Sequence, residues 1–397
     1  MGDLGMAVEE IKAVKVVGRG AMGTVFLVHK KGCDQPLALK AMNKSVLEKQ
    51  TDGLKRARVE RKILSRLRHP FLPSLIGLLE TEKIIGWVMD YCPGGDLNAL
   101  RRTQSEKCFS ESIIRFYAAE IVLALEHLHR EGVVYRDLKP ENVLLQADGH
   151  IMLTDFDLST ILPPLKRQSA TTPDDRRLSP PRRPKRSGPF DFMTSCVSSA
   201  VRVSPAHKKP SPPPIEVAPS NTKTNSFVGT EEYVSPEMLS GVGHDFTVDW
   251  WALGVLLYEM VYGETPFKGA NRKQTFHNIL VKQPQFLGPW TPLRDLIQRL
   301  LIKEPRKRLG FSCNGADNVK KHSFFAGLDW DSVDKVSRPP FVPPPMSLED
   351  LIGMQSIDVE EYFEKLGESK RMSMGSEEEI CSLKTGDGKE GDCDGVF

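Results

Sequence analysis

The 397-residue sequence predicts an α+β protein with two lobes, a small antiparallel β-sheet lobe with one key helix and a larger, mainly helical lobe. β-rich runs around a glycine turn occupy much of residues 11–92, whereas residues 93–325 contain long segments with apolar residues at helical spacing. The chain is long enough for both lobes to share a sizeable core.

Three strands and one helix are predicted in the small lobe. Val14–Val17 and Thr24–Val28 are rich in β-branched residues and flank a glycine turn, and Leu37–Ala41 is a third apolar run. Lys55–Leu67 carries apolar residues at helical spacing among basic ones and ends shortly before Pro70. These residues therefore predict a sheet with one helix packed against it.

The large lobe is predicted to be built from helices. Ser110–Arg130 has a long amphipathic pattern, and Ser110 is a suitable N-cap residue. Asp249–Met260 is apolar on nearly every side, which predicts a buried helix, and Leu293–Leu301 predicts another.

An insert at residues 160–225 interrupts the large lobe. It contains thirteen prolines and twelve Lys or Arg but only four Asp or Glu, so we expect it to be disordered. Its basic clusters, Arg182–Arg186 and His207–Lys209, are consistent with a nuclear address, with contact to anionic lipids, or with a merely solvated linker.

The composition excludes several classes of protein. The net charge is +2, with 54 basic and 52 acidic residues, which gives no indication of a specific nucleic-acid partner. Seven cysteines without a Cys-x-x-Cys pair indicate neither a disulfide framework nor a zinc site. There is no apolar run of about 20 residues and no signal peptide, so we expect a cytoplasmic or nuclear chain, with peripheral association at the plasma membrane through the insert as an alternative.

Four polar residues have the spacing of a phosphoryl-transfer site. They are Asp137, Lys139, Asn142 and, after an apolar strand, Asp155. Asp137 would accept the proton of a substrate hydroxyl, and Lys139 would contact the transferred phosphate. Asn142 and Asp155 would hold Mg²⁺, so the pattern implies ATP and Mg²⁺ as cofactors.

The glycine turn has Gly-x-Gly-x-x-Gly spacing at Gly18, Gly20 and Gly23, followed by Val25. Backbone N–H groups of such a turn can approach phosphate oxygens because no Cβ atom intervenes. A dinucleotide-binding turn needs a helix after the glycines, whereas a β-run follows here. An ordinary glycine hairpin is the other interpretation of this segment.

Five more residues are candidates for nucleotide binding. Lys40 lies in the third strand and would contact the α- and β-phosphates, with Glu60 of the helix as its partner. The backbone from Asp90 to Cys92 could pair with an adenine edge, and Asp96 could reach a ribose hydroxyl. The alternatives are solvated surface charges and a plain linker between the lobes.

Residues beyond the insert carry regulatory and substrate-side candidates. Glu237 and the distant Arg308 would form a buried pair that holds this segment against the helical lobe. Thr230 lies where it would meet the catalytic carboxylate beside a substrate hydroxyl. Phosphorylation of Ser226 would add negative charge that Arg136 could bind.

With these motifs the chain resembles eukaryotic protein kinases, and more narrowly their AGC group. This implies the bilobal protein kinase fold over residues 11–325, with an N-lobe at 11–92 and a C-lobe at 93–325, followed by an AGC-type C-terminal extension at 326–397 whose end is expected to be disordered. The extension would wrap the small lobe and bring an acidic-aromatic segment towards ATP. The positions of narrower resemblance are Tyr135, Val59–Arg61, Ser226–Thr230, Arg338–Pro344 and Val359–Tyr362.

Asp157 gives Asp-Phe-Asp where most kinases have Asp-Phe-Gly. With the insert, it resembles the plant-specific AGC branch of UNICORN, oxidative-signal-inducible and PINOID-like kinases. The resemblance implies serine/threonine specificity, a role in growth or stress signalling and an upstream phosphoinositide-dependent kinase. The docking motif for that kinase, two Phe separated by two residues, is not legible near Phe397.

The resemblance also implies a substrate preference. Asp96, Glu141 and Glu259 match positions where related kinases carry acids that face arginines before the target hydroxyl, which predicts basic protein substrates. Each acid could instead be a surface or capping carboxylate. A catalytically weak pseudokinase or scaffold, supported by Asp157, is the alternative function. We expect a monomer.

Overall fold

The computed structural model describes residues 5–162, 224, 228–312, 315–335, 339–344 and 348–368. These described residues belong to one unit of the chain. Most of the insert, together with Ser226, Arg338 and Phe397, lies outside them.

The small lobe contains a six-stranded sheet in the order β1-β5-β6-β4-β3-β2. The predicted antiparallel pairing is confirmed for five strands, whereas the two-residue edge strand β1 pairs in parallel with β5. This edge contact is close, because a Cβ atom on Gly77 would lie 2.3 Å from the Met6 side chain. The strands are β1 (Gly5–Met6), β2 (Ile11–Arg19), β3 (Thr24–Lys30), β4 (Leu37–Asn43), β5 (Leu75–Glu80) and β6 (Ile84–Asp90).

The small lobe has two helices rather than the one predicted. They are α1 (Lys44–Lys49) and α2 (Gly53–Leu64). Helix α1 begins directly after β4, where the Asn43 side chain accepts hydrogen bonds from Ser45 N and Val46 N. This cap is the local signal that identifies α1. Helix α2 buries Glu60 and Ile63 on the face that lies against the sheet.

The large lobe is helical, as predicted, and α6 lies in its core. Thirteen of the sixteen residues of α6 are buried, which agrees with its apolar sequence. Ser110 is the N-cap residue of α4, as predicted, although its side chain makes no capping hydrogen bond. In the described part of the chain, no helix is both long and apolar enough to span a membrane. The helices are α3 (Leu97–Thr103), α4 (Glu111–Arg130), α5 (Pro236–Ser240), α6 (Thr247–Tyr262), α7 (Arg272–Val281), α8 (Pro292–Leu300) and α9 (Gly315–Lys320).

Two short strand pairs hold the loops that face the small lobe. β7 (Val133–Val134) pairs with β10 (Thr160–Ile161), and β8 (Val143–Leu145) pairs with β9 (Ile151–Leu153). The segment 135–142 therefore connects two anchored strands, and residue 155 follows the end of another.

The C-terminal extension packs on the small lobe. Leu351, in α10 (Leu348–Gly353), is fully buried against Val14 and Leu27. Ile357 N donates to Ala13 O over 2.7 Å. The helical residues 359–368, here called the tail helix, follow.

The tail helix lies on the outer face of the sheet. Tyr362 packs edge-on against Phe26 with ring centroids 5.1 Å apart. Wrapping of the small lobe agrees with expectation. Val359 and Tyr362 join the apolar cluster around Phe26, and the Arg19 guanidinium of the glycine turn lies 5.7 Å from the Tyr362 ring. The approach of this segment to ATP stays a prediction.

His69 makes the stability of the fold depend on pH. Its Nδ1 accepts a hydrogen bond from Phe71 N over 3.2 Å, and burial is the main cause that lowers its pKa from 6.5 to about 4. Because the unfolded state binds this proton more tightly, the free energy of unfolding falls as the pH drops from about 6.5 to about 4. We expect a loss of about 1–2 kcal/mol from this group, allowing for its partial exposure.

Urea unfolding at several pH values measures this effect. His69→Asn keeps a hydrogen-bond acceptor for Phe71 N but does not titrate in this range. Its stability should therefore depend less on pH than that of the wild type, and equal dependence would contradict the assignment.

Candidate active site

A cavity of about 540 Å³ separates the sheet of the small lobe from the loops of the large lobe. It is bordered by the glycine turn, β4, α2, the segment after β6 and the residues that follow β9. The predicted site residues that line it are Gly18, Gly20, Gly23, Val25, Lys40, Glu60, Asp90, Cys92, Asp96, Glu141, Asn142 and Asp155.

Lys40 lies between two carboxylates. Its Nζ is 2.7 Å from Glu60 Oε1, the predicted partner, and 2.7 Å from Asp155 Oδ1, a contact that was not predicted. Burial opposes the charge on Lys40, but the two carboxylates outweigh it and raise its pKa above the ordinary value. Lys40 is therefore held as a cation that connects both lobes.

The glycine turn is compact, since Gly20 N donates to Gly23 O over 2.8 Å. Only Gly23 of the three is fixed by close approach, because a Cβ atom there would lie 2.3 Å from Ala41 O. Gly18 and Gly20 have no contact below 3.8 Å at the equivalent point. The backbone of the turn lines the cavity and is accessible to a ligand.

The segment after β6 connects the lobes. The Asp90 carboxylate accepts from Ser74 N over 2.8 Å, and the Asp96 carboxylate accepts from Ala99 N and caps α3. The Cys92 thiol is buried, and burial raises its pKa to about 12. A neutral thiol of this kind is a packing group rather than a nucleophile.

Asp137, Lys139, Asn142 and Thr230 form one hydrogen-bonded cluster. Lys139 Nζ is 2.8 Å from Asp137 Oδ2, and Asn142 Nδ2 donates to the same oxygen over 2.9 Å. The Thr230 hydroxyl donates to Asp137 Oδ1 over 2.9 Å and accepts from Lys139 Nζ over 2.9 Å. A hydroxyl therefore fits between the carboxylate and the ammonium group.

Asp249 supports this cluster and was missed as a functional residue. Its fully buried carboxylate accepts from Tyr135 N over 3.0 Å and from Arg136 N over 2.8 Å, and lies 2.8 Å from His129 Nε2. It thereby holds Arg136 at φ 68°, which turns the chain towards Asp137. The signal that could have identified it is the presence of a carboxylate near the start of an otherwise apolar, buried helix.

Asp155 and Asp157 differ in electrostatic environment. Burial opposes the charge of Asp155, but Lys40 outweighs it and lowers the pKa of that carboxyl. Burial and the neighbouring Asp155 raise the pKa of Asp157 to about 6. Asp155 is therefore the carboxylate held in its charged form beside Lys40.

A second cavity, of about 820 Å³, opens beside Thr230 and is lined by five acids and five basic residues. Glu141 Oε1 accepts from Asn98 Nδ2 over 2.8 Å, and Glu259 Oε1 pairs with Arg101 Nη2 over 2.9 Å. Burial raises the pKa of Glu259. Asp96 borders the first cavity, so the three predicted substrate acids do not share one cavity. The acids around the second are Glu141, Glu231, Glu232, Glu259 and Glu264.

The predicted pair of Glu237 and Arg308 is confirmed. Two bonds join the carboxylate to the guanidinium, from Nη1 over 2.6 Å and from Nη2 over 2.9 Å. Both side chains are almost fully buried. The predicted partner of phosphorylated Ser226, Arg136, donates from Nε to Leu158 O over 2.7 Å.

A family profile and similar known proteins both indicate the same family. The family profile of the protein kinase domain matches residues 11–176 and 216–325. The chain is 50% identical over 343 residues to serine/threonine-protein kinase OXI1 of Arabidopsis thaliana, covering 84% of this chain and 79% of that protein. It is 47% identical over 377 residues to serine/threonine-protein kinase UCN of the same plant, covering 90% of each.

The AGC resemblance agrees with a further relative, serine/threonine-protein kinase AGC1-7 of Arabidopsis thaliana, which is 40% identical over 86% of this chain and 65% of its own length. The alternative of a non-catalytic pseudokinase is not supported by these relatives. This family uses ATP as phosphoryl donor and typically Mg²⁺. The chain therefore belongs to the protein kinase family, within the AGC group, and is a serine/threonine protein kinase.

Proposed function

We propose that Asp137 accepts the proton of a substrate serine or threonine hydroxyl as its oxygen attacks the γ-phosphorus of ATP. The new oxygen–phosphorus bond forms while the bond to the β-phosphate oxygen of ADP breaks. The observation that carries this proposal is the Thr230 hydroxyl, 2.9 Å from both Asp137 Oδ1 and Lys139 Nζ. A substrate hydroxyl in the same surroundings would meet a base and a cation together.

The remaining residues of the site would bind the phosphates of ATP and neutralise their charge. Lys40, fixed by Glu60, would bind the α- and β-phosphates, and Lys139 would neutralise the transferred phosphate. The backbone of Gly18, Gly20 and Gly23 would cover the phosphates.

Asn142 and Asp155 suit Mg²⁺, which prefers oxygen ligands and keeps places for water and phosphate oxygens. Asn142 commits its amide nitrogen to Asp137, which leaves its side-chain oxygen for a cation. Asp155 is kept in its charged form by Lys40. When bound, Mg²⁺ neutralises charge on the phosphates.

We further propose that the kinase favours basic substrates. Five acids and five basic residues line the cavity beside Thr230, so their formal charges cancel and the preference rests on the acids that no cation neutralises. Glu141 is the most informative of these acids, because its carboxylate accepts from the neutral Asn98 and pairs with no cation among the described residues. An arginine near the target hydroxyl would therefore meet its negative charge.

A peptide library phosphorylated with ATP and Mg²⁺ tests this preference. We expect enrichment of Arg or Lys before the target residue, and Glu141→Gln should raise the KM for the preferred peptide about tenfold, or ~1.4 kcal/mol. Glu131→Gln, whose acid pairs with Arg66 away from both cavities, is the matched control. A library without upstream basic enrichment would contradict the proposal.

Partners and location follow as further proposals. An upstream phosphoinositide-dependent kinase would phosphorylate Ser226, and the resulting charge would be available to Arg136. The basic insert would direct the kinase to the nucleus or contact anionic lipids at the plasma membrane, and the enzyme would otherwise act as a cytoplasmic monomer.

A further inference from the structure

An exposed apolar patch lies at the end of α7 and in the segment that follows it. The α7 patch comprises Leu280, Val281, Leu287 and Trp290. It holds four of the ten exposed large apolar residues in the described part of the chain, all within eleven positions. Leu287 is 80% exposed and Trp290 is 63% exposed. Clustering of this kind marks a binding surface more often than single exposed residues do.

The segment after α7 is held in this conformation by bonds to its backbone. Tyr258 OH donates to Gln285 O over 2.7 Å, and Tyr262 OH donates to Leu287 O over 3.2 Å. Arg294 Nη1 donates to Gly288 O over 3.2 Å. The segment is thus anchored on one side while the side chains of Leu287 and Trp290 extend into solvent.

Phe286 is packed against the protein, whereas the next residue, Leu287, is exposed. Its ring packs on Tyr258 at 5.7 Å and on Tyr262 at 6.3 Å, and the Arg294 guanidinium lies 5.0 Å from its centre. One aromatic residue therefore supplies the packing of the segment. The next residue, Leu287, is left outside that packing.

The segment that carries the patch is basic in sequence. Residues 265–294 contain five Lys or Arg and no Asp or Glu, although the whole chain has nearly equal numbers of both. Arg272 and Lys273 are exposed on the same helix as Leu280 and Val281, and Lys282 is exposed directly after it. Apolar and cationic side chains therefore share the outward surface of α7.

This combination fits a membrane surface better than a protein. Exposed Trp and Leu side chains insert at the boundary between headgroups and acyl chains, and Lys or Arg around them bind anionic headgroups. A second copy of the chain would bring the exposed cations Arg272, Lys273 and Lys282 against their own counterparts, which opposes self-association.

We propose that the α7 patch is a membrane-contact site that inserts Leu287 and Trp290 into an anionic lipid surface. This site is separate from the basic insert and does not depend on the proposed catalytic roles. Arg272 also borders the cavity beside Thr230, so contact here would bring the proposed substrate groove close to the membrane.

Flotation of the full chain with phosphatidylcholine vesicles, with and without about 30% phosphatidylserine, tests the proposal. We expect binding only to the anionic vesicles, weakened by salt at about 0.5 M. The double variant Leu287→Ser, Trp290→Ser should lower the partition coefficient at least about tenfold. Val242→Ser, which removes a 68% exposed apolar side chain elsewhere, should leave it unchanged.

Tryptophan fluorescence separates the patch from the insert. Trp87, Trp250 and Trp251 are at most 1% exposed, and the partly exposed Trp330 packs on Phe325 and lies under Lys320. Brominated lipids should therefore quench mainly Trp290, so Trp290→Phe should remove most of that quenching and Trp330→Phe should not. Phosphorylation of a soluble peptide should stay normal in all these variants, which confirms that they fold.

Three results would overturn the proposal. One is the absence of binding to anionic vesicles. Another is binding that survives in the double variant but is lost when Arg182, Arg183, Lys185 and Arg186 of the insert are changed to Gln. The third is self-association on sedimentation that requires Leu287 and Trp290 without any quenching by lipid, which would assign the patch to a second copy.

Discussion

Replacing Asp137 with asparagine should lower kcat for peptide phosphorylation by about 10³-fold and leave the KM for ATP within about twofold. The amide keeps the size of the side chain and can still accept from Lys139 and Asn142. It cannot take up the proton that the substrate hydroxyl loses. Initial rates of phosphate transfer from labelled ATP to a basic peptide measure both constants.

Two further variants make the Asp137 result specific. Asp34→Asn removes an exposed carboxylate outside both cavities and should change neither constant. Lys139→Met should lower kcat less than Asp137→Asn, because it removes charge neutralisation but leaves the base. If Asp137→Asn kept more than about a tenth of the wild-type kcat, proton transfer would not depend on this carboxylate.

The polar groups of the site could be predicted because their spacing along the chain is short. Asp137 and Asn142 are five residues apart, and Asn142 Nδ2 contacts both the carboxylate and the backbone oxygen of Asp137. The position of Lys40 in an apolar strand likewise predicted Glu60 of the neighbouring helix as its partner, and the two side chains form an ion pair. The spacing of residues along the chain, and the need of a buried lysine for a carboxylate, were sufficient to predict these contacts.

Contacts between distant segments could not be predicted in this way. Asp249 is 113 residues from Arg136, whose N–H it accepts, and no periodicity connects the two positions. Lys40 and Asp155 are 115 residues apart, and their bond depends on how the two lobes meet. The contact of the tail helix is a similar case, because Tyr362 packs on Phe26, which lies more than 300 residues earlier in the chain.

Glu237→Ala should lower the free energy of unfolding by about 3–5 kcal/mol, because it leaves the Arg308 guanidinium buried without its carboxylate. Arg308 would still donate to the backbone oxygens of Ile302 and Thr247, which satisfy hydrogen bonds but not the charge. Urea unfolding at neutral pH measures the change. Glu131→Ala, which removes a half-exposed ion pair with Arg66, should change stability by less than about 1 kcal/mol.

A second substitution distinguishes loss of the charge pair from loss of packing. Arg308→Leu in the Glu237→Ala background removes the uncompensated charge and should recover part of the stability. Loss of the ion pair should also affect activity, because one member of the pair lies close in sequence to Thr230 of the active site. Glu237 lies in α5, which follows directly on the segment that carries Thr230, whereas Arg308 contacts the backbone at the start of α6. If Glu237→Ala had the same free energy of unfolding as the wild type, other contacts would hold this segment. The activity of the variant should then equal that of the wild type.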